Sequence, residues 1–493
     1  MMSLDDLLLL PNIVDVTTDS REVAPGWIFV AVRGSLFDGH SAIQQALTQG
    51  AIAIVAQELP REACAVPVVI VPDSRLAYAM LVQELLKHPT GDMRVYGVTG
   101  TNGKTTCATL LEQMFTFAGR TTGFIGTTGN RYAGKNLATS YTTPHAHALG
   151  ELFMEMRQHQ VDTVCMEVSS HALDQHRVWG TPFRGAIFTN LTRDHLDYHG
   201  TMENYARAKK RLFDMLPEDS VAVFDADSEW APYMKRNCLA RCTVTVGCDQ
   251  FASVRITNVD VSLHGATFTL VRSHDDLTTV PEQMEITTSL LGGFNVTNAA
   301  MCAVLCLLDG LPPDVVVHAM ANVKGPAGRM ERYDLPNGAI AVIDYAHTPD
   351  ALDNALRVLR ELHSDGSVRP NIHVVFGCGG DRDKGKRSEM GNIAAHHADF
   401  IWLTNDNPRS EDPTEIIKNI LGGIEGAARE RTEVIEDRHL AIRAALSAAG
   451  PNDVVLVAGK GHEEYQIIGL ERLPFSDAAE VIDFGNASQL EHR

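Results

Sequence analysis

The chain has 493 residues, 44% of them hydrophobic and 21% charged. That length implies about two to four domains, since a single core stops growing near ~250–300 residues, and that composition excludes a mostly disordered chain. Lys plus Arg number 42 against 62 Asp plus Glu, a formal charge of −20. A balance this acidic argues against a nucleic-acid partner and leaves room for a local basic pocket around a small anion.

The chain opens with MMSLDDLLLLPN, in which two aspartates precede the leucines and no positive segment does, so it is not read as a signal peptide. No apolar run approaches the ~18 residues of a membrane span. The nine cysteines are sparse and set in apolar segments; Cys302 and Cys306 fall four apart on one predicted buried helix face. Cys238, Cys242 and Cys248 lack C-x-x-C spacing, so the cysteines are read as structural thiols rather than zinc ligands. The expected location is the cytoplasm.

Thr18 to Gly34 reads as a strand, a turn at Pro25-Gly26 and an apolar strand from Trp27 to Val32. AIQQALTQGAIAIVA follows as helix, Gly50 and strand. The stretch KHPTGDMR marks a boundary near Thr90. Beyond it RVYGV, DTVCMEV, GAIFTNL and SVAVFDA are short β-rich runs separated in several places by helical stretches, the pattern of a parallel sheet covered on both faces. SVRITNVDVSLHGATFTLV alternates polar and apolar residues around His264-Gly265, as an antiparallel hairpin does. After KGPAGRME the pattern restarts: AIAVIDYA, NIHVVFG, DFIWLTN and DVVLVAG predict a second α/β domain. The predicted division is therefore 1–89, 90–330 and 331–493.

The strongest local signal is GVTGTNGKTT, Gly97 to Thr106, between the strand RVYGV and the helix TTCATLLEQMF. Such a glycine-rich turn lets backbone N–H groups wrap phosphate oxygens at a helix N-terminus. Gly100, Thr101, Asn102, Gly103, Lys104, Thr105 and Thr106 are the candidate nucleotide contacts, with Lys104 reaching the β- and γ-phosphates and the Thr105 hydroxyl on magnesium. Val98 stands where the strict P-loop pattern has its first glycine.

GTNGKTT resembles the ATP loop of the Mur ligase family, which includes folylpolyglutamate synthetases. MEVSSHALDQHR, NLTRDHLDYHG, FNVTNA, GRMER, DYAHTPDAL, FGCGGDRDKGKR, NDNPR and AGKGHE follow in order, with TDSR near the start. The resemblance implies an α/β protein of three domains: a small N-terminal α/β domain for a UDP-linked substrate, a central P-loop parallel-sheet ATPase domain and a C-terminal Rossmann-like α/β domain for an incoming amino acid. It implies ATP-dependent joining of a carboxylate of UDP-N-acetylmuramoyl-L-alanyl-D-glutamate to an amine through an acyl phosphate, in peptidoglycan precursor synthesis. Neither nucleic acid nor membrane is an expected partner, and the chain is expected to act as a monomer.

Such chemistry brings a triphosphate, a carboxylate and an amino acid together, so magnesium and Lys104 are needed against the negative charge. Glu167 ends an apolar strand, where open α/β sheets bind ligands, and carboxylate oxygen suits magnesium. By resemblance Glu167 is a magnesium ligand and His195 lies near a second metal; by residue type alone His195 reads as a hydrogen-bonded histidine. Lys209 aligns with the family's carbamylated lysine, whose carbamate binds magnesium. By residue type alone Lys209, Lys210 and Arg211 read as a solvated helix face.

The resemblance also places Thr142, Thr143, Ser169, Gln175 and Arg177 on the muramoyl-peptide, while Tyr141 departs from an asparagine in some relatives. Thr18, Ser20, Ser35, Leu36 and Phe37 match uridine-diphosphate contacts. Asn295, Asn298, Arg329, Asp344, Tyr345 and His347 match adenine and interdomain ATP contacts, with Arg329, Lys104, Lys209 and His195 as the catalytic set. For the incoming amino acid the matches are Arg382, Asp406, Asn407, Pro408, Arg409, Gly459 and Glu463. Meso-diaminopimelate carries a distal carboxylate that lysine lacks, and Arg409 ends the motif form seen in diaminopimelate-adding relatives. The competing readings are a lysine-adding ligase, a folylpolyglutamate synthetase and a non-ligase P-loop nucleotide-binding protein.

Overall fold

The structure, a computed structural model, describes residues 3–34, 37–362 and 369–491. It separates into two compact units, Met1–Thr245 and Val246–Arg493. Ser3 and Asp6 cap the first helix, Leu4–Leu8, reciprocally: Ser3 Oγ accepts from Asp6 N–H while Asp6 Oδ2 accepts from Ser3 N–H. Four short strands follow, β1 (Asp15–Thr17), β2 (Trp27–Val30), β3 (Ala53–Ala56) and β4 (Val68–Ile70), in one parallel sheet of that order.

The stretch 18–24 forms no strand, against the sequence expectation. Asp19 N–H donates to Thr17 Oγ1 at 3.0 Å and Asp19 Oδ1 accepts from Arg21 N–H at 2.9 Å. Side chains thus take the donors a ladder would use and turn the chain instead. The helix Ile43–Thr48, Gly50 in the left-handed region and β3 match the expected order.

The second sheet of this unit is built from β5 (Arg94–Thr99), β6 (Thr122–Gly126), β7 (Gly129–Tyr132), β8 (Lys135–Leu137), β9 (Thr163–Glu167), β10 (Phe183–Phe188) and β11 (Val221–Asp225). Their spatial order is β11-β10-β5-β9-β6-β7-β8, parallel as far as β6 and antiparallel beyond. Every residue of β9 is buried, and so is every residue of β5 after Arg94. That explains why these strands read as unbroken apolar runs rather than alternating ones. Because β10, β5 and β9 are parallel neighbours, their C-terminal ends lie side by side, and the phosphate loop, Glu167 and Thr189 all leave from there.

In the second unit the end of β12 (Cys242–Gly247) pairs with β13 (Val254–Ser262), which forms the expected hairpin with β14 (Gly265–Arg272) around Leu263-His264. A further antiparallel strand, β15 (Gln283–Thr288), was not anticipated, although its burial alternates strictly as its sequence does. The helix Gly293–Leu308 is buried over nearly its whole circumference, Cys302 and Cys306 included, which exceeds the single face expected. Among the described residues no two cysteines form a disulfide.

β16 (Glu331–Asp334), β17 (Ile340–Asp344), β18 (Ile372–Phe376), β19 (Phe400–Leu403), β20 (Thr432–Val434) and β21 (Val454–Ala458) form the last large sheet, in the order β16-β17-β21-β18-β19-β20. The four central strands are parallel, and each carries one sequence motif on its C-terminal loop. DYAHTP follows β17, GKGHE follows β21, GCGGDR follows β18 and NDNPR follows β19. A hairpin of β22 (Tyr465–Ile468) and β23 (Glu471–Pro474) completes the strands. Among the described residues no helix is long and apolar enough to cross a membrane.

Candidate active site

The phosphate loop is shaped by close backbone packing. A side chain at Gly100 would put its Cβ 1.8 Å from Thr189 Oγ1, so only glycine fits. Gly103 takes φ 83° and caps the helix Lys104–Phe117. The stretch after β10 braces the loop: Thr101 N–H donates to Asn190 O at 3.0 Å, Asn102 N–H to Asn190 Oδ1 at 3.0 Å and Thr192 N–H to Thr101 Oγ1 at 3.0 Å. Tyr205 OH meets Thr101 Oγ1 at 3.2 Å. Asn190, Thr192 and Tyr205 were not singled out in the sequence, although Asn190 and Thr192 stand in the quoted NLTRDHLDYHG motif.

Two lysines converge on one carbonyl. Gly100 O accepts from Lys104 Nζ at 3.0 Å and from Lys209 Nζ at 2.6 Å. Lys209 is 1% exposed and Lys210 is also buried, paired with Asp214, so the solvated-face reading of that stretch fails. The helix Met202–Asp214 turns those residues into the core beside Tyr205 and Phe213. Burial, then the charge of Lys104, pushes the Lys209 amine well below the ordinary lysine range, with Asp194 pulling the other way.

Glu167 is buried at the end of β9, and its oxygens are met from three sides. Thr105 Oγ1 donates to Oε2 at 2.9 Å, Thr127 N–H to Oε1 at 2.7 Å and Thr127 Oγ1 to Oε2 at 3.3 Å. Among the described residues no three His, Cys, Asp or Glu side chains converge as a metal site. A cation here would meet the Thr105 hydroxyl and the Glu167 carboxylate. The Thr105–Glu167 separation fits adjacent oxygens on a magnesium ion with ~2.1 Å bonds. Lys209 as an ammonium would be repelled; as a carbamate it would supply oxygen. His195, at φ 51°, is half exposed and contacts Asp194, His171 and Tyr205.

Beside Glu167 lies the expected peptide-contact group. Thr143 Oγ1 donates to Glu167 O at 2.8 Å and accepts from Ser169 N–H at 3.1 Å. Arg177 donates to Thr143 O at 2.9 Å and to Gln175 Oε1 at 2.7 Å, and its guanidinium lies 5.1 Å from the Tyr141 ring. Thr142 Oγ1 accepts from Thr127 Oγ1 at 3.2 Å. The structure thus brings Thr142, Thr143, Ser169, Gln175, Arg177, Thr105 and Glu167 into one linked network. In the N-terminal sheet Ser20 is buried and donates to Gln45 Oε1 at 3.0 Å, whereas Thr18 and Phe37 are exposed. Ser35 and Leu36 lie outside the described residues.

In the second unit Asn295 and Asn298 are buried on one helix and hydrogen-bond each other at 3.1 Å. Arg329 lies 5.3 Å from the Tyr345 ring, and Tyr345 meets His347 edge-on with ring centroids 4.5 Å apart. Asp344 accepts from Met330 N–H at 2.8 Å, and burial pushes its carboxyl up.

The loops after β18, β19 and β21 meet. Gly380 N–H donates to Asn407 O at 2.9 Å, and a Cβ on Gly380 would strike Pro408 O at 1.9 Å. Arg409 takes φ 53°, held by Arg409 N–H to Ile467 O at 3.1 Å and Gly469 N–H to Arg409 O at 2.8 Å. Its guanidinium donates to Gly380 O at 2.7 Å. Arg382, exposed, flanks the same Gly379 that faces Arg409. Asn407 Nδ2 donates to Glu463 Oε2 at 3.1 Å. Asp406 Oδ2 is buried with no hydrogen-bond partner, 2.7 Å from where a Cβ on Gly459 would stand. Glu411, outside the expected set, is held down to about 2 by Arg387 and clamps Asp381 N–H at 2.6 Å.

A glycine loop between parallel strand and helix, with a buried carboxylate and a buried lysine at its mouth, defines an α/β nucleotide-triphosphate-binding protein of the P-loop class. Three family models match the chain: Mur ligase family, catalytic domain, at residues 12–84; Mur ligase middle domain at 98–306; and Mur ligase, glutamate ligase domain, at 328–461. The chain belongs to the Mur ligase family. It is 42% identical over 476 residues to the UDP-N-acetylmuramoyl-L-alanyl-D-glutamate–2,6-diaminopimelate ligase of Geobacillus thermodenitrificans, covering 95% of this chain and 94% of that protein. A solved structure of a protein of the same name matches with a TM-score of 0.73 at 33% identity, over 96% of this chain and 95% of that one. A MurF ligase of Thermotoga maritima in complex with ADP shares the fold at a TM-score of 0.54 and 17% identity, over 98% of this chain and 99% of that one.

Proposed function

We propose that this chain is an ATP-dependent ligase adding meso-2,6-diaminopimelate to UDP-N-acetylmuramoyl-L-alanyl-D-glutamate, in the cytoplasm, during peptidoglycan precursor synthesis. Near-full-length identity to proteins of that name supports the reading. The observation that carries it is the convergence of the phosphate loop, Glu167 and Lys209 with the Thr143–Arg177 group in one unit. The division of labour is 1–89 for the UDP end, 90–330 for ATP and 331–493 for the amino acid, in a monomer.

A substrate carboxylate oxygen attacks the γ-phosphorus of ATP, and ADP leaves. The amine of diaminopimelate then attacks the acyl carbon, and phosphate departs through a tetrahedral intermediate. Lys104 and the loop N–H groups hold the triphosphate, and Arg329 offsets its charge. Arg177, Thr143 and Ser169 orient the carboxylate. Thr105, Glu167 and a carbamylated Lys209 would hold magnesium, with His195 at a second site; the ion supplies charge neutralisation and oxygen polarisation when bound. Asn295, Asn298, Asp344, Tyr345 and His347 serve the nucleotide. Arg409 and Arg382 meet the distal carboxylate of diaminopimelate, and Asp406 and Glu463 its ammonium.

A coupled ADP-release assay tests the reading. Release should require both the UDP-dipeptide and diaminopimelate. Strong hydrolysis with ATP and magnesium alone would point to a P-loop hydrolase instead, equal use of lysine would replace the third substrate, and use of a folate would replace the carboxylate substrate.

A further inference from the structure

One buried cation in the second unit has no role in the scheme above. Lys460 follows β21 and is fully buried. Its Nζ donates to Asn407 Oδ1 at 3.0 Å, approaches Glu463 Oε2 at 3.5 Å and stands 5.7 Å from the Tyr465 ring. Asn407 Oδ1 accepts a second bond from Ile467 N–H at 2.9 Å. Two N–H donors on that oxygen fix which way the amide faces, because the reversed amide would set N–H against N–H. The Asn407 NH2 is thereby committed to Glu463 Oε2, and the carboxylate is held from both sides.

Charge gives the second half of the argument. Asp406 and Glu463 share this corner, and the nearby Asp477 is already paired bidentately with Arg438 at 2.7 Å. Buried carboxylates without cations are disfavoured. Lys460 balances one negative charge and leaves the other, with the unpartnered Asp406 Oδ2, for a ligand ammonium. We infer that Lys460 is a positioning residue of the amino-acid site: it locks the Asn407 amide and the Glu463 carboxylate in the arrangement that receives the ammonium of the incoming diamino acid, without touching that substrate. The inference rests on the reading of this corner as the amino-acid site.

The test is steady-state kinetics of the full chain with Lys460→Met, Lys460→Gln, Asn407→Ala and the double variant Lys460→Met/Asn407→Ala. Lys460→Met should raise KM for diaminopimelate about tenfold or more, the scale seen when groups supporting a ligand shell are removed. KM for ATP and the UDP-dipeptide should stay within about twofold, since those contacts lie elsewhere. Lys460→Gln, which keeps a donor for Asn407 Oδ1, should recover at least about threefold of the loss. In the Asn407→Ala background Lys460→Met should add less than about twofold. A uniform change in all three KM values, or the same factor with and without Asn407, would overturn the inference. If Lys460→Met does not fold, the comparison of Lys460→Gln with and without Asn407 decides it. Wild-type enzyme showing no diaminopimelate-dependent ADP release would defeat the functional reading itself. Normal release with an unchanged KM in Lys460→Met would defeat this inference alone.

Discussion

Lys209 and Lys460 are both buried, one in each unit, and their electrical surroundings are opposite. Lys209 faces the Gly100 carbonyl; burial and the like charge of Lys104 lower its amine, and Asp194 pulls the other way. Burial lowers the Lys460 amine from the ordinary lysine value as well, but Asp406, Glu463 and Asp477 pull it back toward the charged form, against the like charge of Arg438. A buried amine on which burial and a neighbouring cation outweigh any carboxylate is poised to lose its proton, and only the neutral amine has a lone pair with which to attack carbon dioxide. A buried amine among carboxylates is held closer to its charged form and orders its neighbours. The same residue type therefore serves as a modifiable group in one site and a fixed strut in the other.

The largest expected effect tests the first half of that contrast. Lys209→Ala should lower turnover on the order of 10³-fold, the scale of removing one preorganised charge-stabilising group. Acetate or formate in the assay should restore part of the rate by placing a free carboxylate where the carbamate stood. A turnover near that of wild type would make Lys209 a packing residue only.

Next comes the pair that closes off the Lys460 corner. Arg438 and Asp477 are completely buried and bonded through two N–H donors. Asp477→Ala leaves an uncompensated guanidinium and should destabilise the second unit by about 3–5 kcal/mol, read by denaturant unfolding. Replacing both with apolar residues of similar volume should be much milder. If Asp477→Ala is no worse than the double replacement, the pair does not protect the corner.

Arg409 should matter less to stability and more to choice. Arg409→Ala should raise KM for diaminopimelate about ten- to a hundredfold, roughly 1.4–2.8 kcal/mol, and leave KM for ATP nearly unchanged. Arg409→Lys should not restore it fully, because an ammonium lacks the planar fork. An unchanged preference for diaminopimelate over lysine in Arg409→Ala would remove this residue from the specificity argument.

These sites differ in how far the sequence exposed them. The phosphate loop was legible because its parts are contiguous: an apolar strand, glycines with defined backbone tasks and a helix start, all within Gly97 to Thr106. The strands carrying the C-terminal motifs were legible for the same reason, as short buried runs. The burial of Lys209 was not, because KKR on an otherwise polar helix carries the pattern of a solvated face and only packing against the central sheet inverts it. Lys460 lay within a recognised motif, yet its task depends on Asn407, more than fifty residues earlier, and no local pattern records that contact. The failed strand at 18–24 has a local cause that composition does not reveal, the diversion of backbone donors to Thr17 and Asp19.

The smallest effect sharpens the comparison most. Lys209→Met keeps the length of the side chain and removes its charge. Gly100 O retains Lys104 Nζ as a donor at 3.0 Å, so no backbone acceptor is orphaned. The variant should therefore be as stable as the wild type or slightly more so at neutral pH, by about 1 kcal/mol, whereas Lys460→Met should lose stability because it removes the cation beside Asp406 and Glu463. The pH dependence follows from the direction of the Lys209 shift. Its folded value lies below its unfolded value, so between the two the unfolded chain binds the extra proton and stability rises with pH. The penalty is fully present below the folded value and fades as pH climbs toward ~10.4, the ordinary lysine value. Wild type should thus gain on Lys209→Met as pH is raised from 7 to about 9.5, measured by thermal unfolding in buffer depleted of carbon dioxide so that the carbamate does not form. A constant difference across that range would mean that Lys209 keeps its ordinary affinity for a proton, and the contrast between the two lysines would collapse.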